Sequence, residues 1–242
     1  MEQVKRCIIG RAAPYPKDNL EGDYHASCRW DCYRRCTMLE PLIDDVFRHD
    51  IPGDFMEAGV FKGGVAIFMA SKLARHDPAR RRQMWIADSF TGLPDSRSVN
   101  PVVDRIVAAE NKQTKWVRGR FRASLQVVIQ NFERCFLDSR NRHMVFKLQN
   151  RVVPIVGYFR DALPGPIKQL SLIRIDGDMY TSIYDALNRT YERLSQGGYV
   201  VFDDWKFIQS RQAILDFRRH HHIEQPMQFY NKTLDIMAYW KK

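Results

Sequence analysis

The chain has 242 residues, 45% of them hydrophobic, and a formal net charge of +10. This suits one α/β domain with a large core and excludes a disordered chain, while the positive charge leaves nucleic acid and acidic metabolites open as partners. No apolar run approaches a membrane span, the first residues lack the apolar core of a secretory signal, and five cysteines make no disulfide framework, so a reducing, cytoplasmic setting is expected.

Residues 1–25 are rich in proline, glycine and charge and read as an arm or flap. Arg29–Phe47 reads as a helix with Met38, Leu39, Leu42, Ile43 and Val46 on its apolar face, and Pro41 inside it predicts a break into two helices. Cys28, Cys32 and Cys36 recur along one helical face. A rigid helix does not wrap three thiolates around one metal cluster, so buried packing is expected of them. Asp54–Val60 is a short strand that runs into Phe61-Lys62-Gly63-Gly64 and an apolar helix, Val65–Leu73. The pattern Glu57-x-Gly59-x-x-x-Gly63-Gly64 resembles the nucleoside-binding turn of Rossmann-like domains, without the pyrophosphate fingerprint. Glycine there lets the backbone approach a ligand closely. S-adenosylmethionine has no pyrophosphate, and Glu57 suits its charged methionine end. Met84–Ala87 is a second strand, ending in Asp88-Ser89. A carboxylate at that position suits ribose hydroxyls, with loop amides as the competing partners.

Asp95–Arg122 lacks periodicity and reads as a lid or substrate loop. Ser124–Leu137 is a helix, with Leu125, Val128, Ile129, Phe132 and Phe136 inward. Val152–Val156 is a third strand, ending in Gly157-Tyr158-Phe159-Arg160-Asp161. Phe159 and Tyr158 there either stack on an adenine or fill the core. Leu172–Ile175 is a strand that ends in Asp176-Gly177-Asp178. Tyr184, Leu187, Tyr191 and Leu194 follow at helical spacing, and Gly197-Gly198 is expected to stop that helix. Tyr199–Phe202 is the next strand, ending in Asp203-Asp204. Parallel strands of a βαβ unit bring both carboxyl ends to one sheet edge, where ligands of open α/β sheets bind. Four carboxylates therefore converge on one crevice. Uncompensated, they repel and take up protons. A hard divalent cation such as Mg²⁺, held by oxygen, removes the repulsion; helix capping and loop amides are the ordinary alternative. Ile208–Phe217 is a helix, its end at Arg218–His222 a solvated cationic terminus. Met227–Tyr230 and Leu234–Trp240 close the chain as an antiparallel hairpin.

The stretches DFMEAGVFKGG, ADSFTGLP, GYFRDALP, IRIDGDMYTS and GGYVVFDDW follow in this order across Asp54–Trp205. Together they resemble the macrocin O-methyltransferase (TylF/MycF) family, from about Thr37 to the C-terminus. The resemblance implies a single Rossmann-like class I methyltransferase domain. Its sheet would be mostly parallel, twisted and seven-stranded, with an antiparallel C-terminal hairpin and helices on both faces. It implies transfer of a methyl group from S-adenosylmethionine, with Mg²⁺, to a sugar hydroxyl of a natural product. By position it implies Asp176, Asp203 and Asp204 as metal ligands and Asp178 as the base. Glu57, Gly59, Gly63, Asp88 and Ser89 match cofactor positions. The N-terminal arm is shorter than the family's, and residues 97–150 differ in length and composition; both regions hold the substrate in the family.

Chemistry agrees with this reading. In-line transfer needs an aligned acceptor oxygen and a route for its proton, and a cation that grips two neighbouring hydroxyls supplies both. The expected acceptor is a vicinal diol, carried on a glycoside. A catechol- or caffeoyl-type O-methyltransferase is one alternative. A methyltransferase-like protein associated with nucleic acid through Arg118–Arg122, Arg140 and Arg142 is another. The expected partners are a small-molecule glycoside or other diol and further copies of the chain, not a membrane or nucleic acid.

Overall fold

Apolar strand runs alternate with helical patterns along this chain, and parallel neighbours can be joined only through crossovers. The computed structural model describes residues 24–79, 81–95, 117–136, 151–230 and 237–242, with the backbone alone for 24–33 and 136. Helix α1 (Tyr24–Arg48) precedes β1 (Asp54–Ala58), α2 (Gly64–His76) and β2 (Met84–Asp88). Helix α3 (Leu125–Phe136) leads to β3 (Val152–Val156) and a single turn, α4 (Phe159–Ala162). Then follow β4 (Leu170–Ile175), α5 (Tyr180–Thr190), β5 (Leu194–Phe202), α6 (Ile208–His220), β6 (Gln228–Phe229) and β7 (Ala238–Lys241).

The seven strands lie in the order β3-β2-β1-β4-β5-β7-β6. Pairings among β1–β5 are parallel, and β7 runs antiparallel to both β5 and β6. The chain starts in the middle at β1, winds out to β3, and returns to place β4 on the other side of β1. That reversal opens a crevice beyond the carboxyl ends of β1 and β4.

Strand alternation sorts the core into two layers. Phe55, Met84, Ile86, Leu172, Tyr199 and Val201 pack with residues of α1, α2 and α3. Met56, Ala58, Trp85, Ala87, Ile173, Ile175, Val200 and Phe202 pack with α5 and α6 on the other face. The helical layers therefore cover both faces, as the resemblance implies for a class I methyltransferase.

Several local expectations change. Pro41 does not break α1, which runs through it as one helix of 25 residues. Its ring is exposed, so the missing N–H faces solvent rather than the core. Gly197-Gly198 does not stop α5. That helix ends at Thr190, a 3₁₀ turn covers Tyr191–Arg193, and both glycines lie inside β5. Tyr191 and Leu194 continue the apolar spacing into that strand because their side chains still face the α6 layer. Ile129 points out at 46% exposure, and α3 is buried through Val128, Asn131 and Cys135 instead. Cys36 is buried as packing, while the Cys28 and Cys32 side chains, Arg140 and Arg142 fall outside the described residues, as does residues 96–116 of the expected lid. At the end of α6, His221 stacks on Phe217, and burial holds its pKa below the ordinary value. The cationic terminus there rests on Arg218 and Arg219 instead.

Pro41 marks a position of stored cost. Replacing it with alanine restores an N–H to an exposed helix interior, and Pro41→Ala is expected to raise stability by about 1–3 kcal/mol, read from urea unfolding midpoints.

Candidate active site

The strand ends gather around a cavity of about 470 Å³. Gly59, Asp88, Ser89, Gly157, Tyr158 and Phe159 line one part of it; Arg35, Asp176, Asp178, Asp204, Lys206 and Phe207 line another.

The first part is built on a close backbone approach. Gly59 has φ +87°, and a Cβ there would lie 1.8 Å from the Asp176 carbonyl oxygen. Only glycine lets β1 end against the turn that follows β4. Asp88 orders the same turn from β2. The Val60 and Phe61 N–H groups donate to its Oδ2 at 2.8 and 3.2 Å, and the Phe90 N–H donates to Oδ1 at 2.8 Å. Burial nevertheless raises its pKa above the usual carboxylate value. Asp88 thus lines the cavity while holding loop amides, and the two sequence readings of it coexist. Ser89 donates to the Gly92 carbonyl at 2.7 Å and so shapes the turn as well as lining the cavity.

Two cofactor candidates lie elsewhere. Gly63 faces α3, where a Cβ would meet Val128 at 3.0 Å. Glu57 is 1% exposed and paired with Arg174. It lies across the β1–β4 pairing from that arginine and does not line the cavity.

Arg174 is the residue that sequence reading missed. It sits inside the central strand β4, 1% exposed, and binds Glu57 of β1 and Asp203 after β5, with Asp176 at 2.9 Å. Arg35 of α1 reaches the same Asp203 carboxylate at 2.6 Å. Burial works against both guanidinium charges, but the surrounding carboxylates outweigh it and keep both protonated. The convergent carboxylates are therefore not uncompensated, as the sequence suggested. The available signal was a charge inside each of two adjacent apolar strands, Glu57 and Arg174, of opposite sign.

This row reassigns the aspartates. Strand parity puts Asp203 on the face of Val201, beneath α1, where it serves the arginines at 1% exposure. Asp204 has the opposite parity. Ligand oxygens of Asp176, Asp178 and Asp204 all lie within 4.8 Å of one another, and Asp203 is not in that group. Asp178 has φ 59°, a left-handed backbone that costs a non-glycine residue about 1–2 kcal/mol. Its N–H donates to Asp204 Oδ2 at 3.1 Å, which holds it there. Burial, reinforced by Asp176, Asp178 and Asp203, pushes the Asp204 carboxyl well above the usual range. Burial also acts to raise Asp176, but Arg174 and Arg35 outweigh it and hold that carboxyl below its ordinary value. A set of oxygen donors with this excess of negative charge fits a hard divalent cation.

A turn roofs the cavity. The Gly119 N–H donates to the Leu93 carbonyl at 3.0 Å, and the Leu93 N–H to the Arg120 carbonyl at 2.9 Å. Phe121 meets Phe61 edge-on at 6.4 Å between centroids and packs with Leu93, Met179 and Phe207. The roof therefore touches the chain beyond β1, β2, β4 and β5.

The model of the macrocin-O-methyltransferase (TylF) family matches residues 32–242. The chain is 36% identical over 240 residues to the 8-demethyl-8-(2,3-dimethoxy-alpha-L-rhamnosyl)-tetracenomycin-C 4'-O-methyltransferase of Streptomyces olivaceus, covering 94% of this chain and 86% of that protein. It is 30% identical over 210 residues to the mycinamicin III 3''-O-methyltransferase of Micromonospora griseorubida, covering 86% and 76%. The solved structure of the O-methyltransferase NovP superposes with a TM-score of 0.72 at 30% identity, over 87% of this chain and 80% of that one.

Replacing Arg174 with methionine leaves Glu57 and Asp203 buried without their shared guanidinium. The expected loss is about 3–5 kcal/mol in chemical denaturation. Adding Glu57→Gln and Asp203→Asn to Arg174→Met is expected to recover part of it, because the stranded charges are then gone.

Proposed function

The chain belongs to the macrocin O-methyltransferase (TylF) family and is an S-adenosylmethionine-dependent O-methyltransferase; from that premise we propose that it methylates a sugar hydroxyl of a glycosylated natural product, with Mg²⁺ held by Asp176 and Asp204 and Asp178 beside it as the base. The observation that carries this reading is the three-carboxylate cluster in the same cavity as the Gly59–Asp88 turn. The relatives support the acceptor class, since their names specify methylation of a rhamnosyl unit and of mycinamicin III. The acceptor hydroxyl has an oxygen on the neighbouring carbon, as a vicinal diol does. A methoxy oxygen serves equally, in keeping with the 2,3-dimethoxy sugar in the first relative's name.

S-adenosylmethionine would supply an electrophilic methyl group on a sulfonium, to be taken in line by an aligned acceptor oxygen with S-adenosylhomocysteine as the neutral thioether leaving group. A divalent cation held at the carboxylate cluster would supply Lewis-acid polarisation of the acceptor hydroxyl. The rest belongs to the protein. Gly59, Asp88, Tyr158 and Phe159, which line one part of the cavity, would hold the cofactor, with Asp88 placed for its ribose and the two aromatic rings for its base. Asp176 and Asp204 hold the cation, Asp176 kept ionised by Arg174 and Arg35. Asp178, turned into the cavity by its left-handed backbone, takes the acceptor proton at its carboxylate. Asp203 holds the two arginines in place of the ligand role that the resemblance implied. The roof and Phe207 keep water from the reacting atoms. As to assembly, a homo-oligomer remains our expectation.

Methyl transfer to a panel of glycosides and catechols, with and without Mg²⁺, tests the reading directly. Activity on glycosides should vanish in excess EDTA and return with Mg²⁺; full activity in EDTA would reduce the cluster to a structural feature.

Asp178→Asn separates base from ligand. As a base, its loss lowers kcat by roughly 10²–10⁴ while Mg²⁺ and cofactor affinities stay near wild type. A variant that loses Mg²⁺ affinity instead makes Asp178 a third ligand.

A further inference from the structure

The sequence assigns Glu57 to the charged methionine end of S-adenosylmethionine, but Glu57 lies buried beside Arg174, outside the cavity lining. That end is left without a partner. Its place follows from the strand order β3-β2-β1-β4-β5. With the base at Tyr158 and Phe159 after β3 and the ribose at Asp88 after β2, the cofactor crosses the strand ends in that same order. The methionine end comes next, past Gly59 after β1 and against the turn after β4, whose Asp176 carbonyl a Cβ on Gly59 would meet at 1.8 Å. It carries an ammonium and a carboxylate. Carbonyl and carboxylate oxygens gather at this edge and serve the ammonium. The carboxylate needs a cation.

Among the described residues, Arg35, Arg118, Arg120, Arg160 and Lys206 are the cations that line the cavity. Arg160 stands at the base end, 3.4 Å from Asp185. Arg118 and Arg120 belong to the roof, and Lys206 lies beyond β5. Arg35 alone of these is tied to the row across β1, β4 and β5. Its Nε lies 2.6 Å from Asp203 Oδ2, which also meets Arg174, itself 2.9 Å from Asp176. Asp203 thus engages the inner nitrogen of Arg35, and the two terminal nitrogens have no hydrogen-bond acceptor among the described residues. The Arg35 side chain is 27% exposed against 1% for Arg174, so of the two only Arg35 can reach a ligand. Resting on the cofactor placement of the functional reading, we infer that Arg35 binds the methionine carboxylate of S-adenosylmethionine through its terminal guanidinium nitrogens. Their fork of N–H groups matches the two oxygens of a carboxylate. Docking of α1 engages only the Nε edge, and the donors left over are those that a carboxylate takes. One guanidinium then touches the cofactor on one side and the arginine–carboxylate row on the other.

The test is calorimetric binding to the full chain with Mg²⁺ present. The probes are S-adenosylhomocysteine and S-adenosyl-3-thiopropylamine, its decarboxylated counterpart, which keeps the ammonium. Wild-type protein should bind the first roughly tenfold or more tightly than the second, the worth of one charge-assisted hydrogen bond. In Arg35→Gln this ratio should collapse towards unity, while affinity for the decarboxylated probe stays near wild type and reports an intact site. Arg35→Lys keeps a charge for Asp203 but lacks the fork, so its ratio should fall between the two; it carries the comparison if Arg35→Gln does not fold. An Arg35 that only docks α1 would lower both affinities together and leave the ratio unchanged. Equal wild-type affinity for the two probes, or a ratio that survives in the variants, would overturn the inference and leave the functional reading standing. Wild-type protein that binds neither probe would overturn the functional reading itself.

Discussion

A guanidinium buried in the centre of a parallel sheet must be matched on every side, and Arg174 is matched by three different segments. Glu57 comes from β1, Asp203 from the end of β5, and Asp176 from the turn after its own strand. Coulomb attraction at this depth is strong, but so is the desolvation that opposes it, and the balance tolerates little displacement. The row therefore fixes the relative heights of β1, β4 and β5 where the chemistry is placed. It also draws α1 into the site, because Arg35 shares Asp203. One strand residue thus sets the ionisation of Asp176, the burial of Asp203 and the docking of a helix.

Consecutive aspartates consequently have opposite fates. Asp203 and Asp204 differ by one step along a strand, and one step changes the face. Asp203 turns towards α1 and neutralises arginine; Asp204 turns towards the cavity, among carboxylates that raise its pKa. The protein places acidic oxygen where a cation is useful and spends the neighbouring acid on holding that arrangement rigid. Left-handed backbone at Phe61, Phe90, Phe121 and Asp178 clusters around the same cavity. Such conformations persist only where surrounding structure over-determines them, here through Asp88, Asp204 and the roof contacts.

Much of this was legible in the amino-acid order. Each strand end named in the sequence lies at the crevice, because an apolar run bounded by Asp or Gly punctuates a buried parallel strand unambiguously. Gly59 and Asp88, named from their spacing, both line the cavity. The allocation among acids was not, since a pattern of carboxylates does not reveal which of them faces an arginine contributed from 29 residues away, as Arg174 is to Asp203. Glu57, expected at the cofactor, instead pairs with Arg174 and does not line the cavity. It looks like a ligand-facing acid at a strand end, but its parity puts it in the row with Arg174. Pro41 and Gly197-Gly198 were overweighted as local breakers: an exposed helix face absorbs the first, and the irregular stretch of β5 where its register with β4 shifts absorbs Gly197 at φ +79°.

The roof is fastened by two backbone hydrogen bonds between Leu93 and the Gly119–Arg120 peptide region, and by a glycine pair so close that a Cβ on Gly92 would meet Gly119 backbone at 2.5 Å. The chain between leaves at residue 95 and is gathered again at residue 117 by that clasp. Loop closure costs grow only slowly with length, so the clasp sets the roof's position independently of how many residues leave at 95 and return at 117. One clasp thus fixes the height of the roof above the floor, whatever length of chain it closes.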